Sequence, residues 1–231
     1  MKTIHPGSAE LQLGNANPAG SPENAVARGW YSRGYVPHCD HPGLLQSITY
    51  RLADSLPAEA LSRMERELLL VSQKRKEVAR RNRLDALLDA GHGCCVLSDP
   101  KAVAYVVNAW RHFAGERYDL IAWVVMPNHV HVLIRVYEGF ALGKIVQSWK
   151  SFTGRRIKEF IKKEDGRAGA RPSQPVWMRE YWDRFVRDEP HFHAIVDYIH
   201  NNPVKARLVE NPEAWPWSSA REFEAVEGLW P

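Results

Sequence analysis

The chain has 231 residues, is 45% hydrophobic and carries a formal net charge of +4. That length and apolar content suffice for one good core with an added helical layer. No run approaches the ~18 apolar residues of a membrane helix and the N-terminus lacks an apolar signal segment. The three cysteines, with no Cys-x-x-Cys pair, make neither a disulfide framework nor a structural zinc site, so a reducing cytoplasm is the expected compartment.

Residues 1–27 are rich in Gly, Pro, Ala, Asn and Ser without apolar period, which predicts a mobile arm. Residues 28–43 read as a lead-in loop in which Arg28 and Arg33 alternate with Trp30, Tyr31 and Tyr35; that interleaving suits either packing on the core or stacking on bases. Leu44 to Leu52 alternates as a strand. Two helices follow, over about 58–70 and 72–88, forming a basic helical insertion at about 58–90. Residues 91–97 read as a short strand or extended link. Ser98-Asp99-Pro100 opens a helix, with Val103, Val106, Val107, Trp110 and Phe113 at helical spacing and Gly115 as its stop.

Two apolar runs, Tyr118–Met126 and His129–Val136, flank Pro127-Asn128 and predict a hairpin. Successive side chains of a strand point to opposite faces. His129 and His131 therefore share one face, and Val130 and Val132 the other. Two imidazoles on one rigid strand supply much of a divalent metal site, although a pair of surface histidines fits the same pattern.

Leu142 to Lys163 reads as a long amphipathic helix with a stripe of Ile145, Val146, Trp149, Phe152, Ile157, Phe160 and Ile161. It carries seven lysines and arginines against the single acid Glu159, a local excess above that of the whole chain. Basic charge concentrated on two helices points to contact with phosphates. The candidates are Lys74, Arg75, Arg80 and Arg81 on the first, and Lys144, Lys150, Arg155, Arg156 and Lys158 on the second. Residues 164–175 read as a polar loop, 176–178 and 181–186 as extended pieces. Asp188-Glu189-Pro190 opens a last helix, which the residue before Pro203 is expected to end.

That last helix places Tyr198 and Asn202 four residues apart, hence on one face. Their direction lies roughly 90° from the centre of the apolar stripe at the ordinary helical advance, where a helix borders a cleft. A phenol can act as nucleophile and a carboxamide oxygen can join two imidazoles around a metal. Spacing alone also suits a boundary tyrosine and a helix-end asparagine. His191-Phe192-His193 repeats the histidine spacing, but on a helix its rings diverge by roughly 200°.

Met126-Pro-Asn-His129-Val-His131-Val-Leu-Ile134, taken with Asp197-Tyr198-Ile-His-Asn-Asn202-Pro-Val-Lys205, resembles the HUH single-tyrosine transposases. More narrowly it is similar to the REP-associated tyrosine transposases, relatives of the insertion-sequence-200-like enzymes. The resemblance runs from about Gly29 to Ser219 and includes Ser32–His38 and Trp215-Pro-Trp217-Ser-Ser219; residues 1–27 and 58–98 share it less.

The resemblance implies an α+β fold, a ferredoxin-like central antiparallel sheet with helices packed on it, over one domain at 28–231. It implies Tyr198 as nucleophile, and His129, His131 and Asn202 as ligands of Mg²⁺ or Mn²⁺. The implied activity is cleavage and rejoining of single-stranded, hairpin-bearing DNA through a 5′-phosphotyrosine, in a bacterial, nucleoid-associated protein working as monomer or homodimer, with no membrane partner. A repeat-binding regulator without catalysis on the same scaffold is the alternative.

Overall fold

The computed structural model describes residues 29–32, 37–40, 43–164 and 175–223, without the side chains of 29–40, 73, 74, 77, 81 and 164. The expected arm at 1–27, most of the loop at 164–175, the lead-in aromatics, and the side chains of Lys74 and Arg81 lie outside that description.

The lead-in is a hairpin of β1 (Gly29–Ser32) and β2 (Pro37–Asp40), not a loop. The main sheet contains β3 (Leu45–Arg51), β4 (Tyr118–Val125), β5 (His129–Val136) and β6 (Trp182–Phe185), in the order β4-β5-β3-β6. Every neighbouring pair is antiparallel. The helix α3 (Pro100–His112) links β3 to β4, and α4 (Leu142–Glu164) links β5 to β6. This is the βαββαβ order of a ferredoxin-like α+β fold, as expected. The insertion between β3 and α3 is α1 (Ala58–Leu69) and α2 (Gln73–Asp89).

The sheet is covered on both faces. Val130, Val132 and Ile134 of β5 pack with α3 and α4, around Trp110 and Trp149. Leu133, from the opposite face of β5, packs with Val124 and with Phe192, Ile195 and Ile199 of α5 (Glu189–Lys205). A third cluster joins Met64 and Leu68 of α1 to Leu84 and Leu88 of α2, with Trp182 against it. Both flanking helices begin where the sequence places a cap. Asp99 accepts from Lys101 N at 2.8 Å and Asp188 from His191 N at 2.8 Å, each satisfying an otherwise orphaned donor.

The large aromatics of the first cluster keep their polar atoms bonded. Trp110 Nε1 donates to Tyr50 Oη at 3.0 Å, Trp149 Nε1 to Tyr118 Oη at 2.9 Å, and Tyr118 Oη to the carbonyl of Trp110 at 2.6 Å. Tyr118→Phe leaves the buried Trp149 N–H and Trp110 carbonyl without this partner. It is expected to cost about 1–3 kcal/mol, read as a lower urea midpoint at unchanged slope.

Four expectations are corrected. Residues 91–97 hold no strand; a single 3-10 turn at Val96–Ser98 follows Cys95, whose φ is 47°. Residues 176–178 contribute only an isolated bridge, Leu52 with Trp177. Phe152 is 40% exposed, because the row Ile145, Trp149, Thr153, Ile157 at i, i+4 faces the core and puts Thr153 there instead. Finally, α5 runs three residues beyond Asn202 through Pro203. It closes with Arg207 in the left-handed region at φ 59°, Arg207 N bonding Val204 O and Leu208 N bonding Pro203 O. This Schellman-type end uses the carbonyl of Pro203, while the proline lacks only its own donor.

Candidate active site

β5 is an interior strand, and the turn before it is closed by Met126 N donating to His129 O at 2.9 Å. His129 and His131 lie on the α5 face, each 1% exposed, with ring centroids 4.9 Å apart. They are a buried pair rather than a surface one. α5 brings in Asn202, also 1% exposed, and half-buried Tyr198, whose ring meets His131 edge-on at 5.2 Å between centroids.

Hydrogen bonds fix both imidazoles. Asn128 Nδ2 donates to the carbonyls of Leu88 at 3.1 Å and His92 at 3.0 Å, which leaves Asn128 Oδ1 to accept from His129 Nδ1 at 2.7 Å. Thr49 Oγ1 lies 2.7 Å from His131 Nδ1, and Asn202 Nδ2 lies 3.3 Å from His131 Nε2. An amide nitrogen only donates, so His131 Nε2 accepts and Nδ1–H donates to the threonine. In both rings Nδ1 carries the proton and Nε2 keeps its lone pair.

The rings are also held neutral. Burial lowers the His131 pKa to about 3, with the Lys205 charge adding to this. Burial lowers that of His129 well below the ordinary value too, with His131 and Lys205 contributing and a hydrogen bond to Asn202 opposing. Neutral imidazole is the form that binds metals.

Asn202 Oδ1 is buried without a hydrogen-bond partner, a costly state in a protein interior. Asn202 turns its nitrogen to His131 Nε2 here and leaves its oxygen unpartnered; with the amide turned the other way, that oxygen would join the two Nε2 lone pairs in a donor set that fits a hard divalent cation. Among the described residues no group of three His, Cys, Asp or Glu could hold a metal; the third donor here is an amide.

The sequence reading did not assign the site's other wall. Asp85 of α2 hydrogen-bonds the Tyr198 phenol, and Lys205 Nζ stands 5.6 Å from the centre of the Tyr198 ring. Lys205 also pairs with Asp89 at 3.5 Å. Burial pushes the phenol pKa up, the Asp85 carboxylate adds to the rise, and a hydrogen bond from Asn202 opposes it. Two carboxylates, Asp85 and Asp89, and the ammonium of Lys205 thus stand beside the tyrosine. One sequence signal for them existed: Asp85 and Asp89 stand at i, i+4 on a helix, as Tyr198 and Asn202 do.

The other candidates separate into two places. Lys150, Arg155 and Lys158 line a groove of about 530 Å³ beside α4, floored by Trp177 and Tyr181. Arg80 lines a second cleft of about 480 Å³ that reaches Tyr198. Arg75 and Lys144 are exposed, and Arg156 pairs with Glu159 at 3.5 Å on the helix surface. His191 accepts from Arg187 N at 3.2 Å while His193 faces Glu189 at 3.8 Å, so their rings diverge as a helix requires. His200 is turned away toward Ser219. The Trp215–Ser219 segment lies along β4, with Trp215 Nε1 donating to Val125 O at 3.0 Å and Ser218 bridging Val124.

Residues 101–202 match the family model described as "Transposase IS200 like". A curated protein of Haemophilus influenzae, provisionally named a REP-associated tyrosine transposase, is 31% identical over 105 residues, covering 44% of this chain and 58% of that one. The REP-associated tyrosine transposase of Escherichia coli K12 is 28% identical over 114 residues, covering 49% of this chain and 61% of the relative. The chain thus spans about three fifths of the length of these relatives. A solved structure of a REP-associated tyrosine transposase bound to a REP hairpin aligns over 84% of this chain and 86% of its own, at 19% identity and a TM-score of 0.45. No helix among the described residues is long and apolar enough to cross a membrane.

Proposed function

Because residues 101–202 carry the sequence pattern of the IS200-like transposases, we propose that the chain is a single-stranded DNA strand transferase of the REP-associated kind, with Tyr198 as nucleophile. The observation that carries this reading is the convergence of His129, His131, Asn202 and Tyr198, from two elements about seventy residues apart, with the Asn202 oxygen left unpartnered.

The phenol oxygen of Tyr198 attacks the phosphorus of the scissile phosphodiester. A bond from tyrosine to phosphorus forms, and the bond from phosphorus to the 3′-oxygen breaks. The DNA is left with its 5′-phosphate on Tyr198 and a free 3′-hydroxyl. The Asp85 carboxylate, already bonded to the phenol, takes its proton, and the departing 3′-oxygen takes one from solvent water. The reverse attack by a 3′-hydroxyl rejoins the strand, because the phosphodiester energy is kept in the tyrosyl link. His129, His131 and Asn202 would hold Mg²⁺ or Mn²⁺, which when bound supplies Lewis-acid charge at the scissile phosphate. The neutral rings are fixed for that task by Asn128 and Thr49.

On the sheet face opposite the histidines, the groove of Lys150, Arg155 and Lys158 beside α4 provides charge for the phosphates of a hairpin stem. A protein engaged with DNA in this way belongs in the cytoplasm at the nucleoid.

Denaturing electrophoresis of the protein with labelled, hairpin-bearing single-stranded DNA from the flanks of its own gene tests the reading. A protein-linked band is expected with Mn²⁺, and is expected to vanish with chelator and in Tyr198→Phe. DNA that is bound but never linked would make the chain a repeat-binding regulator. Cleavage that survives Tyr198→Phe would make it a metal-dependent nuclease.

A further inference from the structure

The cleft of about 480 Å³ that reaches Tyr198 has walls of two origins. One wall is the sheet and α5, through Ser47, Thr49, Trp182 and Ile195. The other is α2, through Arg80, Asn82, Leu84, Asp85 and Leu88. α2 lies outside the stretch that matches the transposase family model. We infer that this cleft seats one unpaired nucleotide of the DNA, next to the phosphodiester at Tyr198, and that Asn82 of α2 reads the edge of its base. The inference rests on the proposed function and adds to it a choice of sequence at the cleavage point.

The size suits one guest of this kind, since pockets for small ligands run to ~300–1,000 Å³. The chemistry suits a base better than a phosphate. Leu84, Leu88 and Ile195 give an apolar floor. Trp182 is half-buried, with the Arg51 guanidinium 6.0 Å from its ring centre, so an aromatic is part of the wall where a base could stack. Asn82 is exposed at the rim and carries both a donor and an acceptor, the pair that reads a base edge. Exposed Arg80 and Arg184 at the mouth can hold the flanking backbone.

The groove beside α4 has the opposite character. It is lined by Lys150, Arg155 and Lys158, whereas its aromatics Trp177 and Tyr181 are packed into the core. It offers contacts to phosphates and no free ring to a base. The two depressions thus divide the work, with backbone held at α4 and one base selected at α2. Only unpaired DNA can use the second, because a paired base hides its Watson–Crick edge.

The test uses full-length Tyr198→Phe protein, which keeps the ring but cannot form the tyrosyl link. The probes are thymine tetranucleotides carrying 5-iodouracil at each position in turn. After irradiation, one position is expected to crosslink to Trp182 or to a residue between 80 and 88. Varying the base there is expected to change affinity about tenfold, and Asn82→Ala is expected to flatten that spread while leaving the affinity for a probe abasic at that position unchanged. Crosslinks confined to the groove beside α4 would overturn the inference. So would an Asn82→Ala variant that keeps the preference of the parent or weakens intact and abasic probes equally. Crosslinking at α2 in a protein whose parent never links to DNA would refute the strand-transferase reading and leave the base site standing.

Discussion

Replacing His131 with alanine is expected to bring Mn²⁺ binding below detection in a calorimetric titration, and with it the metal-dependent DNA adduct. His131 supplies one of the two Nε2 lone pairs on this side of the sheet. His191 and His193 diverge on the surface, and His200 is bonded to Ser219. Thr49→Val should give a graded loss of about tenfold. The valine keeps the volume but removes the acceptor that holds His131 Nδ1–H at 2.7 Å, and changes to such supporting groups typically weaken a site ~10–100-fold. Asn202→Ala should fall between the two, since it removes the buried oxygen that now lacks a partner. Undiminished Mn²⁺ affinity in His131→Ala would remove these residues from the metal site.

The second large effect is a loss of stability in acid, measured without metal. Both rings are held neutral in the folded chain, His131 with a pKa of about 3 and His129 well below the ordinary value. In the unfolded chain each titrates near ~6.5. Between those values the unfolded state binds protons that the folded state refuses, so acid favours unfolding. The contribution is fully present above pH ~6.5 and is lost as pH falls through the window toward 3. The expected slope is about 1.4 kcal/mol per pH unit for each histidine, a large fraction of the ~5–15 kcal/mol of an ordinary domain. Urea titrations in EDTA at pH 7.5, 6.0 and 5.0 read it directly. His131→Asn should shed about one proton's worth of slope, and an unchanged slope would contradict the neutral burial of that ring.

The hairpin was legible because two apolar runs flank Pro127-Asn128, and the alternation of side chains along a strand fixes faces without any tertiary knowledge. The same rule put His129 and His131 together, and helical spacing put Tyr198 with Asn202. What spacing could not give was the meeting of the two pairs across about seventy residues, or the depth of burial, since both faces of the sheet turned out to be covered. The Asp85 contact could not be read for a similar reason, beyond the shared helix face of Asp85 and Asp89. α2 reads as a basic surface helix, and its acids acquire a role only once Leu84 and Leu88 dock it beside α5. Lys205 was missed because a proline was taken as the end of α5. The helix instead continues one turn, so residues 198 and 205, seven apart, share a face. Phe152 and Thr153 show a milder failure, in which hydrophobicity outweighed the i, i+4 row.

The side chain of Asn128 touches both the insertion and the histidine pair. Its nitrogen is bonded to carbonyls at the end of α2, and its oxygen holds the ring of His129. One amide plane therefore ties where the insertion sits to how that imidazole is aimed. Residues 58–92 are for this reason not a detachable module. Excising them to recover a minimal scaffold would release the hinge pin of the metal site, and swapping in another loop would require a pair of carbonyls at the same two points. Asn128 thus joins Asp85 and Asp89 in fastening the insertion to the site.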